Sequence, residues 1–275
     1  KEGRSFLFYP FAGGDFINAH LFYPRASTIL MIGLEPAGRV PELTVLGDRQ
    51  LRHGIYLMDE GFRIFSTWNF YRTLGMRHFM FNSPFTGTVP HILAQMARLG
   101  IKPLAVYSVE ADPQGKLRFS EVKDDSIHPN LAVDYEDRSG TRKRVISLQL
   151  DLRDPSLQRQ KNWRLYLQGL GKTDGFMKAA SCLLPRRDYV LIRKIILDTM
   201  QTIVQDDSCM PYRFLKDGWQ ITLFGSYLRA HYLFPSFTQP DLREAYRTAP
   251  KRDVPFPFTY ERPDNRRNLQ LCIKK

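Results

Sequence analysis

Two turns in the sequence carry carboxylates where a nucleotide-type pocket would need them. Asp15 follows Gly13 and Gly14, Glu35 precedes Pro36, and each acid follows an apolar run that is typical of a strand. In a nucleotide-binding βαβ unit, a glycine turn after the first strand approaches the ligand, and an acid at the tip of the second strand binds ribose hydroxyls. The spacing of about twenty residues between the glycines and Glu35 fits that layout.

The same turns also have a simpler interpretation. The full G-x-G-x-x-G pattern is absent and Asp15 would repel a phosphate, so dinucleotide binding is disfavoured. S-adenosylmethionine has no phosphate and is better tolerated by such a turn. In the simpler interpretation, the glycines make a tight turn and Asp15 caps the helix that follows. His20, which lies on that helix, is either a ligand-binding residue near Asp15 or a surface histidine.

A second acidic segment, QDDSCMPYRF, contains side chains suited to catalysis. Asp206 and Asp207 in one turn could bind a hard cation or act as general acid and base. The sequence predicts a helix that ends near Val204, so both acids would oppose the dipole of that helix and would need compensation. The alternative is an Asx-type turn that leads into a strand.

Three further side chains are candidates for the same site. Lys178 lies in the small and apolar segment GFMKAASCLL, where it either snorkels to solvent or pairs with Asp206 or Asp207. Ser208 is a candidate ligand-binding residue and could also be a nucleophile, although no G-x-S-x-G sequence surrounds it. Tyr212 is a candidate ligand-binding residue, because an aromatic ring can grip a ligand without taking part in chemistry.

The sequence shows no pattern that is typical of a metal site, and it does not settle whether a disulfide forms. The six histidines are scattered, with no HExxH or other zinc spacing, so no metal site is predicted. Cys182 and Cys209 flank the helix predicted before the acidic segment, which would hold them apart if it is straight, and whether they pair stays open. The sequence does not identify a cofactor.

The net charge of the chain limits the classes of molecule that it could bind. The net charge of +12 attracts phosphates, acidic glycans or anionic surfaces, but lysines and arginines are spread along the whole chain. Their densest cluster, RSGTRKR (138–144), predicts a basic hairpin tip. No RNA-binding or helix-turn-helix signature is present, so nucleic acid is a disfavoured partner. No apolar run is long enough for a membrane-spanning helix. A polar or anionic small molecule or a glycan remains as the partner class.

The elements that would position these residues predict an α/β fold with a mixed sheet. Apolar runs over Ser5–Ala12 and Ser27–Leu34, joined by a short helix over Phe16–Tyr23, predict a right-handed, Rossmann-like βαβ unit with parallel strands. Alternating runs between residues 116 and 152 predict an antiparallel extension of the sheet. Helices are expected on its faces.

Apolar periodicity predicts the remaining elements. Helices are predicted within Asp48–Phe79, with Leu51, Ile55, Met58, Phe62 and Phe65 on the apolar face, and over Thr88–Leu99, Phe176–Leu184 and Asp188–Val204. Strands are predicted for KPLAVYSVE (102–110), which should be buried, for NWRLYLQGL (162–170), for GWQITLFGSYLR (218–229), and for NLQLCIKK (268–275) as the strand that closes the sheet.

Five stretches of the chain resemble a family of uncharacterised bacterial proteins. They are FYPFAGGDF, GLEPAG, FMKAASCLL, QDDSCMPYRF and LFGSYLRAHYLF…QPDL. The resemblance extends over most of the chain, so it implies one composite α/β domain over residues 1–275, and it attaches no activity. The family pattern has Ser in place of Ala12 and Gly in place of Cys209, which argues against chemistry by either residue. The resemblance also favours export, periplasmic or secreted, over a cytoplasmic location.

Three functions remain open from the sequence. In the first, Asp15 and Asp206 converge on one cleft at the carboxyl ends of the strands, with Asp207 and Lys178. The chain is then a hydrolase or group transferase that acts by carboxylate acid–base chemistry on a polar substrate, for example a carbohydrate. In the second, the cleft binds a ligand without chemistry, or binds S-adenosylmethionine in a Rossmann-like manner. In the third, the acids are turn residues and the protein is a scaffold module.

Overall fold

The structure is a computed structural model that describes residues 5–40, 42–68, 84–230, 238–254 and 267–275. The chain divides into two units, Lys1–Asp151 and Leu152–Lys275, each of which contains helices and strands. The α/β fold with a mixed sheet is therefore confirmed, whereas the single domain over residues 1–275 stays a prediction. In the described part of the chain, no helix has the length and apolar character needed to cross a membrane.

The first unit begins with the βαβ arrangement. Strand β1 (Ser5–Tyr9), helix α1 (Phe16–Phe22) and strand β2 (Ala26–Gly33) follow one another, and β1 pairs with β2 in parallel. Both strands are mostly apolar, and most of their side chains are buried, as is typical of parallel strands covered on both faces. The predicted parallel pairing of the two strands is confirmed.

The sheet of the first unit continues beyond β2 with four more strands. In spatial order the six strands are β1-β2-β6-β5-β3-β4. The bounds of the four are β3 Lys102–Ala111, β4 Leu117–Glu121, β5 Asn130–Glu136 and β6 Arg142–Gln149. Strand β6 is parallel to β2, and the other three continue in antiparallel pairs, which confirms the predicted extension. The prediction that β3 is buried is wrong, because antiparallel strands can leave side chains in water and Leu104 is 39% exposed.

The described part of the first unit also contains two longer helices, α2 (Asp48–Trp68) and α3 (Thr88–Arg98). The apolar face predicted for α2 is partly wrong, since Ile55 is 55% exposed. The helix instead packs around Gly54, where a Cβ atom would lie 2.4 Å from Cε2 of Phe85. The predicted continuation of this helix to Phe79 lies outside the described residues.

Among the described residues of the second unit there are five strands, in the spatial order β7-β8-β11-β9-β10. Their bounds are β7 Thr173–Phe176, β8 Met200–Gln205, β9 Trp219–Gly225, β10 Lys251–Arg252 and β11 Asn268–Lys274. Strands β7 and β8 are parallel, and β11 runs antiparallel between β8 and β9. Strand β11 was predicted to close the sheet, but it lies in the interior of this unit, with partners on both sides.

Four α-helices accompany these strands where the second unit is described. They are α4 (Asp154–Arg159), α5 (Lys161–Gln168), α6 (Val190–Thr199) and α7 (Pro240–Thr248). The strand predicted for residues 162–170 is wrong, because its Leu, Arg and Gln residues are good helix formers and α5 forms there. The helix predicted over Phe176–Leu184 is also wrong, since β7 ends at Phe176 and only a 3-10 turn, Ala179–Leu183, follows.

The helix predicted over Asp188–Val204 is two elements. Helix α6 ends at Thr199 and strand β8 starts at Met200, from where the chain pairs with β7 and β11. Asp188 does not cap the helix; the carboxylate of Asp154 does, accepting hydrogen bonds from the backbone N–H of Val190 at 3.1 Å and of Leu191 at 2.9 Å. The acidic segment therefore follows a strand.

Candidate functional site

Asp15 is buried at the N-terminus of α1, where it caps the helix. Tyr9 donates its hydroxyl proton to Oδ2 of Asp15 at 2.9 Å, and Nδ2 of Asn18 donates to both carboxylate oxygens at 3.0 Å. The backbone N–H of Asn18 donates to Oδ1 at 3.3 Å. These contacts support the capping role of Asp15, and its catalytic role stays a prediction.

Residues of helix α3 hold the glycine turn between β1 and α1. Gln95 is fully buried, donates from Nε2 to the carbonyl of Gly14 at 2.6 Å, and accepts from the backbone N–H of Ile17 at 2.8 Å. His91 lies one helical turn earlier and is 2% exposed, and its burial lowers its pKa to about 4. Neither residue stands out in the sequence, because their spacing matches an ordinary helix.

The structure brings Gly13 and Glu35 together at the carboxyl ends of β1 and β2. A Cβ atom at Gly33, the last residue of β2, would lie 3.2 Å from Cα of Gly13 and 3.2 Å from Oε2 of Glu35. Gly13 has φ +54° and Phe11 has φ +60°, so the turn contains two left-handed residues, one of which is not glycine. Glu35 is partly exposed.

His20 lies away from the turn that contains Asp15. It is in the last turn of α1, whereas Asp15 caps the first. Its ring stacks on Phe16 with centroids 5.5 Å apart and meets Tyr135 edge-on at 6.4 Å. Burial first, and then the charge of Lys143, lower the pKa of His20. These contacts make His20 part of the packing around α1.

Asp206 lies just beyond the carboxyl end of β8 and is fully buried. Asp206 therefore does not oppose a helix dipole, as was predicted, because the element before it is a strand. Its Oδ1 accepts hydrogen bonds from the backbone N–H of Ser208 at 2.8 Å, from the hydroxyl of Ser208 at 2.5 Å and from Sγ of Cys209 at 3.5 Å. Its Oδ2 is also buried, yet it has no hydrogen-bond partner among the described residues.

Asp207 is held by Asn268 and Gln239, which carry no signal of this contact in the sequence. Its Oδ1 accepts from Nδ2 of Asn268 at 2.8 Å, and its backbone N–H donates to Oδ1 of Asn268 at 2.9 Å. Its carbonyl accepts from Nε2 of Gln239 at 2.7 Å, and Oε1 of Gln239 accepts from the backbone N–H of Tyr212. Tyr212 is thereby connected to the acidic turn through Gln239.

Lys178 is fully buried, so it does not snorkel to solvent. It lies two residues beyond Phe176, which pairs with Val204, and Asp206 lies two residues beyond Val204. The backbone N–H of Met177 also donates to the carbonyl of Val204 at 3.0 Å, so the pairing extends toward Lys178. Lys178 and Asp206 therefore lie at the same edge of the sheet of the second unit.

The three cysteines, all among the described residues, are free thiols. Burial, and then the charge of Asp206, raise the pKa of Cys182 to about 11 and raise the pKa of Cys209 well above its ordinary value. A buried protonated thiol is a poor nucleophile. Cys182 and Cys209 thus contribute to the surroundings of Asp206 as neutral groups.

Comparison with protein-family models finds no family that matches this chain, and comparison with curated proteins finds no match either. Among the residues that the structure describes, no three His, Cys, Asp or Glu side chains come together as metal ligands would. Asp15 and Asp206 belong to different units, so their convergence on one pocket stays a prediction.

Proposed function

We propose that this chain is an enzyme, a hydrolase or group transferase that acts by carboxylate acid–base chemistry on a polar substrate such as a carbohydrate. Asp206 is its general base. The observation that carries the proposal is the state of Oδ2 of Asp206, which is buried and without a hydrogen-bond partner among the described residues.

A buried carboxylate oxygen without a partner costs free energy. Leaving such a group unsatisfied typically costs about 1–3 kcal/mol, and native proteins contain few such groups. Asp206 is otherwise well held, because Ser208 and Cys209 fix its Oδ1. This arrangement orients one oxygen and leaves the other able to accept a proton from a substrate, as general base catalysis requires.

Asp207 shows by contrast how a structural acid is arranged in the same turn. Asn268 exchanges two hydrogen bonds with it, one to the carboxylate and one from the backbone N–H. Asp207 therefore fixes the turn on β11, and in this proposal it positions Asp206. Ser208 has the same positioning role through its two hydrogen bonds to Asp206.

Lys178 supplies the positive charge that the site needs. It lies at the same edge as Asp206 and is completely buried. In a site without water, a lysine ammonium stabilises negative charge that develops on the substrate much more strongly than it would in solvent. Open α/β sheets bind ligands outside the carboxyl ends of their parallel strands, where Lys178 and Asp206 both lie.

Ligand binding by Gly13, Gly14, Glu35 and His20 in the first unit stays a separate prediction, and so does ligand binding by Tyr212 in the second unit. The net charge of +12 supports a polar or anionic small molecule or a glycan as the substrate class. Nucleic acid remains a disfavoured partner, and export of the protein stays a prediction.

The test is a screen of chromogenic esters, phosphate esters and glycosides with the wild-type chain and three variants. Asp206→Asn and Lys178→Met should abolish the turnover that the wild type shows. Asp198→Asn is the control, since the carboxylate of Asp198 is exposed and pairs with Lys194 on the surface of α6. Turnover that is equal in Asp206→Asn and wild type would contradict the proposal. Tight ligand binding without any turnover would favour the non-catalytic binding module.

A further inference from the structure

The turns after β1 and β2 form a second candidate site, which lies in the first unit and is independent of the role of Asp206. We infer that this site binds a nucleoside that has no phosphate and carries a positive charge, with Glu35 accepting hydrogen bonds from the ribose diol. S-adenosylmethionine has these properties and serves as the probe. The inference depends on four features of the two turns.

The first feature is the carboxylate of Glu35. It has no hydrogen-bond or ion-pair partner in the described part of the chain, although the protein carries 40 lysines and arginines. It lies two residues beyond β2, with Oε2 close to the Cα of Gly33 and so to the glycine turn. A partly exposed carboxylate at the tip of the second parallel strand is placed to accept both hydroxyls of a ribose.

The second feature is that most backbone N–H groups of the glycine turn donate hydrogen bonds within the protein. Ala12 and Gly13 both donate to the carbonyl of Ile32, at 2.7 Å and 3.4 Å, and Asp15 donates to the carbonyl of Ala12 at 3.2 Å. The next N–H group, that of Phe16, donates to the carbonyl of Gly14 at 2.9 Å. A phosphate-binding turn needs such donors directed at the ligand, and here four of the five N–H groups from Ala12 to Phe16 are already engaged within the protein.

The third feature is the local charge. The turn residues 10–15 and 34–36 include Asp15 and Glu35 but no lysine or arginine. Arg39, the first basic residue after them, pairs with Asp125 at 3.1 Å. Within a strongly basic chain, these two turns are therefore acidic, which disfavours phosphate and favours a cationic group.

The fourth feature is apolar surface beside the acid. Leu34 is 62% exposed although it directly precedes Glu35, and Nε2 of Gln149 holds its carbonyl at 3.0 Å. Phe11, partly exposed on the other turn, has the left-handed backbone noted above. Apolar side chains next to a few polar groups are typical of small-molecule sites, and here they suit the face of a nucleobase.

The experiment is isothermal titration calorimetry of the full chain with S-adenosylmethionine, adenosine, 2′,3′-dideoxyadenosine and ATP. S-adenosylmethionine should bind saturably, and removal of the diol from adenosine should weaken binding about tenfold or more, since a charge-assisted pair of hydrogen bonds is lost. ATP should bind more weakly than adenosine. If ATP binds more tightly than adenosine, or if none of the four ligands binds, the inference is wrong.

Two variants and a control assign the binding to this site. Glu35→Gln should weaken the binding of S-adenosylmethionine at least about tenfold. Gly33→Ala should also weaken this binding, because the Cβ of the new alanine would press on Gly13. Glu110→Gln is the matched control, as Glu110 is exposed on β3 of the same unit. Unchanged affinity in Glu35→Gln would overturn the inference. Because Asp206 is intact in every variant, these results leave the acid–base proposal to its own test.

Discussion

The burial of His91 makes the stability of the first unit depend on pH. His91 is 2% exposed in helix α3, and desolvation of its charged form lowers its pKa from 6.5 to about 4. In the unfolded chain the imidazole binds a proton near pH 6.5, whereas in the folded chain it stays neutral down to about pH 4. Above pH 6.5 the histidine is neutral in both states and does not lower the free energy of unfolding. As the pH falls from 6.5 toward 4, the unfolded chain binds the proton first and the folded protein loses stability.

The size of this loss in stability follows from the pKa of His91 in the folded and in the unfolded chain. The difference between the two pKa values, at about 1.36 kcal/mol per pH unit, corresponds to a loss of about 3 kcal/mol in the free energy of unfolding. The steepest slope should be about 1.4 kcal/mol per pH unit, between pH 6 and pH 4.5. This loss is a large fraction of the stability of an ordinary domain.

The assay is denaturant unfolding of the wild type and of His91→Gln at several pH values from 7.5 to 4.5. The variant loses some packing at every pH. Its free energy of unfolding should nevertheless fall about 2.5 kcal/mol less than that of the wild type between pH 7.5 and pH 4.5. His20, whose pKa is also lowered, is present in both proteins and cancels in the comparison. His53→Gln, at an exposed site on α2, controls for the removal of an imidazole. Parallel pH dependences of wild type and His91→Gln would refute the reasoning.

Two further predictions concern packing. Ile196→Ala, at a completely buried site on α6, should cost about 2–5 kcal/mol in denaturant unfolding. Val190→Ala on the same helix, where Val190 is 47% exposed, should cost less than about 1 kcal/mol, and equal losses would show that the assigned core face is wrong. Gly54→Ala should destabilise the chain by about 1–3 kcal/mol despite the better helix propensity of alanine, because the new Cβ meets the ring of Phe85 at 2.4 Å. A variant at least as stable as the wild type would contradict that contact.

The βαβ unit could be predicted because every local signal agreed. Two apolar runs, a glycine turn and a connection long enough for a crossover all indicated parallel strands, and β1 pairs with β2 as expected. The same agreement placed Asp15 at the start of a helix, where its carboxylate accepts the hydrogen bond from the backbone N–H of Asn18.

The helix predicted over Asp188–Val204 shows where sequence reasoning failed. Ile192, Ile196 and Ile203 are all fully buried, so the apolar pattern was real, but Ile203 belongs to β8. A short apolar run fits a buried strand as well as a helix, and only the pairing with β7 and β11 decides between them. The error carried over to the site, because it placed Asp206 at a helix end.

The partners of the acidic turn could not be predicted for a different reason. Asn268 and Gln239 contact Asp207 from positions 61 and 32 residues away in the chain. Single polar residues in otherwise apolar or loop segments carry no local signal of such contacts, which only the folded chain creates. The burial of Lys178 could not be predicted either, since a snorkelling lysine and a buried one have the same sequence surroundings.

The most direct test of the central claim compares substrate affinity with turnover in Asp206→Asn, using whichever substrate the screen identifies. If Asp206 is the general base, the variant should keep its Kd within about threefold of the wild type while kcat falls at least about 100-fold, the range expected for loss of acid–base catalysis. Asp198→Asn should match the wild type in both quantities. A kcat within threefold of wild type, or a loss that lies wholly in Kd, would contradict the claim that the buried oxygen of Asp206 does the chemistry.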